Sequence, residues 1–346
     1  MKKKFKKLVS VLLSVVMLSS VFAVLPSAMS LDQGLDALRS QWSRDRGPKA
    51  DGYSIDYSYY SPKKNSSDNT KYPLCIFLAG MGEGEYEGKE LIANSFPLWS
   101  ADENQKEFQN AGGAYLLIAR APEPVYWNMA PTASLKAAID DFIKKNPNVD
   151  TDRIYVLGWC LGAVGATRYA TDYPDSVAGI VLMATASAVS ASEAKALSNT
   201  AVWLVHSKSD GYALYDLYCS PSWNNLKKYS NNPEKLRLTS CESAPDAGIL
   251  KSHLTWAYME QDCRDNGGCK GLKTINGNGE TVENVRAISW LSQWSQYKET
   301  GADESCSCQC HSSNVLTKLL WNIKCFFYKL FSSNSKQTCA CGQKHW

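Results

Sequence analysis

The stretch that decides the fold is DRIYVLGWCLGAVGA, residues 152–166. An apolar run is followed by the pentapeptide GWCLG at 158–162 and then by a segment of small residues. This order predicts a buried strand, a sharp turn and a helix. The two glycines let the backbone bend tightly, so Cys160 would project at the carboxyl end of the strand. The helix N-terminus beside it favours the thiolate, which is the attacking form of cysteine. The alternative is a small buried cysteine in an ordinary strand-to-helix turn.

Further apolar runs alternate with helical segments around this stretch. The runs are PLCIFLAG (73–80), AYLLIAR (114–120), GIVLMAT (179–185) and AVWLVHS (201–207), with helices predicted over 134–145 and 161–171. Strands that are apolar throughout and separated by helices indicate parallel strands covered on both faces. The predicted fold class is therefore α/β, with a doubly wound, mostly parallel sheet. Residues 260–283 are predicted to form a loop insertion before a last helix containing 285–294.

The ends of the chain differ from its centre. Residues 1–30 combine five lysines, a long apolar run and small residues, which predicts a signal peptide for export. An uncleaved membrane anchor, or cleavage after Ala23, is the alternative. The remaining boundaries place a polar, Tyr-rich segment leading into the first strands at 31–71, the α/β domain at 72–300, and a small Cys-rich helical module at 301–346.

Charge follows these boundaries. The net charge of +3 becomes −2 without residues 1–30, and residues 306–346 carry five lysines and no carboxylate. The body, 31–305, is left at −7. This balance gives no indication of nucleic-acid binding.

A base and an acid are expected after the Cys160 turn, the acid in a loop beyond a later strand and the histidine later still. Asp210 follows the strand AVWLVHS, and His253 comes later in SHLTWAYME. His206 stands at a strand end before the acid, so it is predicted to be a structural hydrogen-bonding group. Asp216 is the reserve acid, and a solvated loop carboxylate is the alternative for both aspartates. A neutral imidazole would take the thiol proton, while the carboxylate holds its tautomer.

The glycine-rich stretch PLCIFLAGMGEGEYEG, residues 73–88, follows the first strong strand. Such a stretch can present backbone N–H groups to a developing oxyanion. The expected donors are the N–H groups of Met81 and Leu161. A flexible loop at the strand end is the alternative.

Four stretches together carry a family resemblance: 73–85, 127–163, 202–210 and 252–260. They resemble the secreted feruloyl-esterase and polyhydroxybutyrate-depolymerase-like branch of the α/β hydrolases, over about residues 52–297. The resemblance implies the α/β-hydrolase fold and ester hydrolysis through an acyl-enzyme. The positions matching the family's serine, aspartate and histidine are 160, 210 and 253. Two residues depart from the pattern, because Ala79 replaces a histidine and Cys160 replaces the serine.

The cysteine leaves the chemistry open. Dienelactone hydrolases and polyhydroxyalkanoate synthases are similar at this point, since both carry Gly-x-Cys-x-Gly, but a synthase needs an intracellular acyl-CoA supply that export would not provide. The expected activity is hydrolysis of carboxylic esters, first of plant cell-wall polysaccharide and then of polyesters or lactones, without a catalytic cofactor. The alternative is an inactive surface-binding module. Four aromatic residues could line the cleft or pack in the core and rim: Trp127, Trp159, Trp256 and Tyr212.

The twelve cysteines divide equally between the body and the tail. In the body of an exported chain, the sequence suggests the disulfide Cys219–Cys241 or Cys263–Cys269 without fixing the connectivity. In the tail, thiolates and imidazoles flank one helix and could hold a structural zinc, with disulfides as the alternative. The zinc candidates are Cys306, Cys308, Cys310, His311, Cys339, Cys341 and His345.

The helix between the tail cysteines, 315–331, is apolar with a narrow stripe of lysines. We expect it to attach the protein to the anionic cell envelope or membrane surface, with docking on the body as the alternative. The expected location is therefore secreted or associated with the cell surface.

Overall fold

The computed structural model of the chain describes residues 31–63, 69–81, 96–108, 111–122, 124–246 and 251–296. Two compact units divide the chain, Met1–Tyr297 and Lys298–Trp346, and all described residues belong to the first. The predicted signal peptide and the predicted tail helix lie outside the described residues, as do all seven zinc candidates. Within the described ranges, no helix is long and apolar enough to cross a membrane.

A single mixed sheet runs through the described unit. In sheet order the strands are β1-β2-β4-β3-β5-β6-β7-β8-β9. The six strands from β4 to β8 are parallel, and β1, β2 and β9 pair antiparallel at the two edges. The predicted doubly wound, mostly parallel α/β sheet is therefore confirmed. The strands are β1 (Ser43–Arg46), β2 (Asp56–Tyr60), β3 (Tyr72–Leu78), β4 (Tyr115–Ala119), β5 (Val149–Trp159), β6 (Gly179–Met183), β7 (Ala201–Ser207), β8 (Leu236–Cys241) and β9 (Lys273–Asn276).

Helices follow most of the parallel strands, as the crossover connections of such a sheet require. They are α1 (Leu31–Arg39), α2 (Asp102–Gln105), α3 (Thr132–Lys145), α4 (Leu161–Asp172), α5 (Ala191–Ala196), α6 (Ser220–Tyr229), α7 (Trp256–Glu260) and α8 (Ala287–Leu291). Helices α3 and α4 agree with the two helices predicted from the sequence. The predicted last helix is shorter than expected, since α8 covers only part of 285–294.

Each central strand contributes side chains to an apolar core on both faces of the sheet. In β3, Leu74 and Ile76 belong to one buried cluster, whereas Cys75 and Phe77 belong to the other. This alternation follows from the pleat of a strand, which points successive side chains to opposite faces. Burying one such large apolar side chain contributes roughly 1.5–3 kcal/mol to stability. The parallel strands are apolar throughout because both of their faces are covered.

The two edges of the sheet differ from the sequence-based prediction. Segment 31–71 was expected only to lead into the first strands, but it contains β1 and β2. Residues 260–283 were expected to form a loop insertion, but they contain β9, which pairs with β8. These strands are short or half-buried, so they lack the continuous apolar runs that identified the central strands.

The predicted disulfide pairs are wrong for the described cysteines. All six described cysteines are free, so neither predicted pair is joined in the structure. Cys219 lies at the start of α6, where its thiol contacts Tyr215. Cys241, at the end of β8, is instead close enough to Cys269 for each thiol to affect the pKa of the other.

Candidate active site

Cys160 occupies the sharp turn between β5 and α4. Its backbone has φ 56° and ψ −117°, a left-handed conformation that costs free energy in any residue other than glycine. The glycines on either side permit the turn, because a Cβ on Gly158 would lie 2.2 Å from the carbonyl oxygen of Gly162. A Cβ on Gly162 would in turn lie 1.9 Å from the carbonyl oxygen of Leu78. The turn therefore holds Cys160 at the carboxyl end of β5, in the first turn of the helix.

His253 and Asp210 form a buried pair at the same edge of the sheet. Nδ1 of His253 lies 2.7 Å from Oδ2 of Asp210, and both side chains are fully buried. The other carboxylate oxygen, Oδ1, accepts hydrogen bonds from the backbone N–H groups of Tyr212 and Ala213, at 2.9 Å and 2.8 Å. These donors orient the carboxylate and stabilise its charge. Nε2 of His253 is buried and has no hydrogen-bond partner among the described residues, so it is available to accept a proton.

The reserve acid, Asp216, does not take part in this pair. It is exposed on the helical turn Tyr215–Cys219. Asp210 therefore occupies the position of the acid in this structure, and the catalytic roles of Asp210, His253 and Cys160 stay predictions.

His206 is hydrogen-bonded to the loop that carries Asp210, in agreement with its prediction as a structural hydrogen-bonding group. Its Nε2 lies 2.7 Å from the carbonyl oxygen of Ala213 and 3.5 Å from Oδ2 of Asp210. Burial lowers the pKa of His206, which favours the neutral imidazole with its proton on Nε2. The donated hydrogen bond fixes the same turn whose N–H groups bind Asp210.

Trp159 connects the nucleophile turn to the base. Its indole N–H donates a hydrogen bond of 3.0 Å to the carbonyl oxygen of His253, and the two rings lie 4.9 Å apart. On its other side the indole packs against Gly80, where an added Cβ would lie 2.4 Å from the ring. The residue next to Cys160 thus contacts both the base and the predicted oxyanion loop. Nothing in the sequence beyond adjacency to Cys160 indicated this role.

The segment that carries His253 is also held from its far end. Asp262, fully buried, accepts a hydrogen bond from the N–H of Ile288 and pairs with Arg286. Arg286 also pairs with Glu107, which fastens this segment to the region before β4. Burial raises the pKa of Asp262 to about 6, against the opposing effect of its N–H and arginine partners.

The two predicted oxyanion donors belong to segments that adjoin Cys160. Leu161 is the first residue of α4, directly after Cys160. Met81 follows Gly80, whose added Cβ would lie only 3.4 Å from the Cβ of Cys160. The glycine-rich continuation of this loop, 82–88, lies outside the described residues. The use of these N–H groups as an oxyanion hole stays a prediction.

The four aromatic residues expected near the cleft occupy different environments. Trp127 is buried against α4, where a Cβ on Gly165 would lie 2.8 Å from its side chain. Trp159 is buried, and Trp256 is half-buried with its ring 6.5 Å from that of Trp159. Tyr212 is 45% exposed, and its ring centroid lies 5.2 Å from that of His253. Among the four aromatic residues, it is the one that is both exposed and next to the predicted catalytic base.

An apolar rim of exposed side chains follows the strand ends at the edge that carries the site, and the sequence analysis placed only Tyr212 of it near the cleft. Six large apolar side chains are exposed among the described residues, and all six follow the carboxyl ends of β3, β4 or β7. They are Met81, Tyr126, Met129, Tyr212, Leu214 and Leu217. Exposed apolar side chains gathered at the edge that carries a reactive group indicate a binding surface for an apolar ligand. The sequence of a loop does not show which of its apolar side chains stay exposed, so the other five could not be identified in advance.

In the described ranges, no group of three or more histidine, cysteine or acidic side chains could hold a metal ion. Asp210 and His253 are paired, and their use with Cys160 in proton transfer and nucleophilic attack stays a prediction.

One protein-family model matches part of the chain. Residues 132–255, which include all three predicted catalytic positions, match the profile of the family described as Serine aminopeptidase, S33. The matching family model describes serine enzymes, whereas this chain has a cysteine, Cys160, at the strand-to-helix turn. No curated protein sequence matches the chain.

Solved structures of similar fold include a thermostable esterase and an acylaminoacyl peptidase. A thermostable esterase has a TM-score of 0.55 and 18% identity, over 75% of this chain and 64% of the esterase. An acylaminoacyl peptidase of Pyrococcus horikoshii has a TM-score of 0.42 and 14% identity, over 57% of this chain and 36% of the peptidase. Est1E of Butyrivibrio proteoclasticus has a TM-score of 0.39 and 16% identity, over 57% of this chain and 87% of Est1E. The chain thus spans less than two thirds of the esterase and about a third of the peptidase. With its sheet order and strand–turn–helix elbow, the chain has the α/β-hydrolase fold.

Proposed function

We propose that this protein is an exported hydrolase that cleaves carboxylic esters through a thioester intermediate on Cys160. One observation carries the proposal. A buried imidazole, oriented by a buried carboxylate at 2.7 Å, packs 4.9 Å from the ring of Trp159, and the next residue, Cys160, occupies a strained strand-to-helix turn. Backbone strain of this kind costs stability and is found mainly at functional sites.

The first half of the reaction forms the acyl-enzyme. Asp210 keeps the His253 proton on Nδ1, so Nε2 takes the proton of the Cys160 thiol. The thiolate attacks the ester carbonyl carbon, and the resulting oxyanion accepts hydrogen bonds from the N–H groups of Met81 and Leu161. When the carbon–oxygen bond breaks, the His253 imidazolium gives its proton to the leaving alcohol. The acyl group remains on Cys160 as a thioester.

The second half releases the acid. His253, again neutral, takes a proton from water as the water attacks the thioester carbonyl. The tetrahedral intermediate collapses, the carbon–sulfur bond breaks, and the imidazolium returns the proton to the sulfur. The products are a carboxylic acid and the free thiol, so the enzyme is restored.

The apolar rim supports an ester with an apolar or aromatic acyl group. Tyr212 stands next to His253, and Leu214 and Leu217 extend the apolar surface along the acid loop. Aromatic side chains stack well on planar acyl groups. Together with the family resemblance, this favours feruloyl or similar esters on plant cell-wall polysaccharide as the substrate.

The test is hydrolysis of p-nitrophenyl acetate, p-nitrophenyl butyrate and methyl ferulate by the full mature chain in the presence of a thiol reductant. The matched variants are Cys160→Ala and Cys160→Ser. Turnover in the wild type that is lost in the alanine variant supports the proposal. An aminoacyl p-nitroanilide belongs in the panel because the matching profile is that of aminopeptidases, and preferred cleavage of the anilide would redirect the proposal to amides. An inert wild type beside an active serine variant would overturn it in favour of a binding module.

We further propose that the C-terminal module attaches the exported protein to the cell envelope. The support comes from the sequence, since residues 306–346 combine a lysine-bearing apolar stretch with no carboxylate. Deleting residues 306–346 should release the protein from cells and leave ester turnover unchanged. Unchanged association with cells would contradict this attachment.

A further inference from the structure

Cys241 and Cys269 lie together on the side of the sheet that carries His253. Cys241 ends β8, and Cys269 follows the helical turn after α7. Both are buried, with 2% and 6% of their surface exposed, and both belong to the same apolar cluster. Each thiol affects the pKa of the other, and the Cys241 thiol also lies 4.0 Å from the carbonyl oxygen of His206. No other pair of described cysteines has this relation.

The backbone already fastens the two segments that these cysteines occupy. The N–H of Glu242 donates to the carbonyl of Lys270 at 2.9 Å, and the N–H of Lys270 donates to the carbonyl of Ser243 at 2.8 Å. The positions next to both cysteines are therefore hydrogen-bonded to each other before any covalent bond forms. This matters because a disulfide requires its two backbones to be close in advance.

We propose that Cys241 and Cys269 form a structural disulfide in the exported protein. The bond closes residues 241–269 into a covalent ring that contains His253. The inference uses the oxidising surroundings of an exported chain, but it does not depend on ester hydrolysis.

The two thiols have different parts in forming the bond. Their mutual contact lowers the pKa of Cys241 and raises that of Cys269, so Cys241 is the one that loses its proton first. The Cys241 thiolate attacks an external disulfide, such as that of an oxidised thiol carrier, and releases one thiolate of the carrier. Cys269 then loses its proton and attacks the sulfur of Cys241, which releases the second carrier thiolate. The carrier accepts two electrons and two protons and leaves as two thiols.

The disulfide would restrict the position of the predicted base, His253, through Ser252. This residue precedes His253, and its Oγ accepts a hydrogen bond of 2.7 Å from the N–H of Ala244 and lies 3.0 Å from Oγ of Ser207. Ala244 is three residues beyond Cys241 in the sequence. A covalent bond at Cys241 therefore limits the movement of the strand end to which the His253 segment is attached.

Peptide mapping tests the proposal on the wild-type full chain, secreted or purified without reductant, denatured and alkylated. Trypsin cuts after Arg237, Lys251, Arg264 and Lys270, which places Cys241, Cys263 and Cys269 in three separate peptides. We expect the peptide 238–251 joined to 265–270, with the joined species lost after reduction. Peptide 252–264 joined to 265–270, or alkylated Cys241 and Cys269 in the non-reduced sample, would overturn the proposal.

A second measurement uses thermal unfolding of the wild type and the double variant Cys241→Ser/Cys269→Ser. Closing a ring of this size restricts the unfolded chain, so the wild type should unfold roughly 5–15 °C higher. Added reductant should remove that difference, and the double variant is the control for any effect of reductant on the tail cysteines. Equal melting temperatures without reductant would also contradict the disulfide.

Discussion

The indole N–H of Trp159 donates a hydrogen bond of 3.0 Å to the main-chain carbonyl of His253, 94 residues further along the chain. This bond joins the residue before Cys160 directly to the predicted base. The two rings also pack at 4.9 Å, so the position of the imidazole depends on the same turn that positions the thiol. Movement of either segment therefore alters the distance between the sulfur and Nε2.

The variant Trp159→Phe keeps an aromatic ring but removes the N–H donor. The His253 carbonyl would lose its buried partner, which costs about 1–3 kcal/mol of stability, and turnover should fall about tenfold or more as the imidazole loses its orientation. Urea denaturation and kcat on p-nitrophenyl acetate measure the two effects. Trp203→Phe is the matched control, because its N–H also donates a buried hydrogen bond, to Thr239 at 2.9 Å, away from the site. Equal kcat values for the two variants would show that the Trp159 bond is only structural.

Replacing Asp210 by asparagine should reduce kcat by about 10³–10⁴-fold. The amide cannot hold the Nδ1 proton of His253 in the required tautomer, nor stabilise the imidazolium. Asp216→Asn serves as the control, since that carboxylate is exposed and should be replaceable without loss of rate. A larger loss in the Asp216 variant than in the Asp210 variant would reverse the assignment of the acid.

The left-handed backbone of Cys160 predicts that glycine at this position is more stable than alanine, although neither residue supports activity. Cys160→Gly relieves the strain at φ 56°, whereas Cys160→Ala keeps the Cβ. The free energy of unfolding should therefore be about 1 kcal/mol higher for the glycine variant than for the alanine variant. Both variants lack the thiol and should be inactive. Denaturant titration of the two proteins side by side measures the difference. A glycine variant less stable than the alanine variant would mean that the turn is not strained.

Burial of His206 predicts loss of stability in mild acid. Its pKa is lowered in the folded protein, so the folded state binds fewer protons than the unfolded state below the unfolded value. The stabilisation is complete above about pH 6.5, the ordinary histidine pKa, and is lost as pH falls towards the folded pKa, at up to about 1.4 kcal/mol per pH unit. His206→Gln can still donate to the Ala213 carbonyl and should show a flatter profile between pH 7.5 and 5. Parallel profiles for the two proteins would refute this contribution.

The local sequence was sufficient to predict the central strands of the sheet and the strand–turn–helix elbow at Cys160. The runs around Ile76, Ile118 and Val181 are apolar throughout because strands buried on both faces need no polar side. Asp210 and His253 were expected from the order of nucleophile, acid and base along the chain, and the structure pairs these two side chains at 2.7 Å. These features depend on residues that are neighbours in sequence or on the order of the strands.

The edge strands and the contacts around the site were decided by the tertiary structure. Strands β1 and β9 are only four residues long and partly polar, so their pairing depends on the edges that β2 and β8 offer. The Trp159–His253 hydrogen bond and the contact of Cys241 with Cys269 join segments whose separation in sequence carries no periodic signal. Such contacts form only after the sheet has brought distant loops to one edge. The hydrophobic effect that drives the packing depends on the buried area and not on which partners meet, so the local sequence does not indicate the partners.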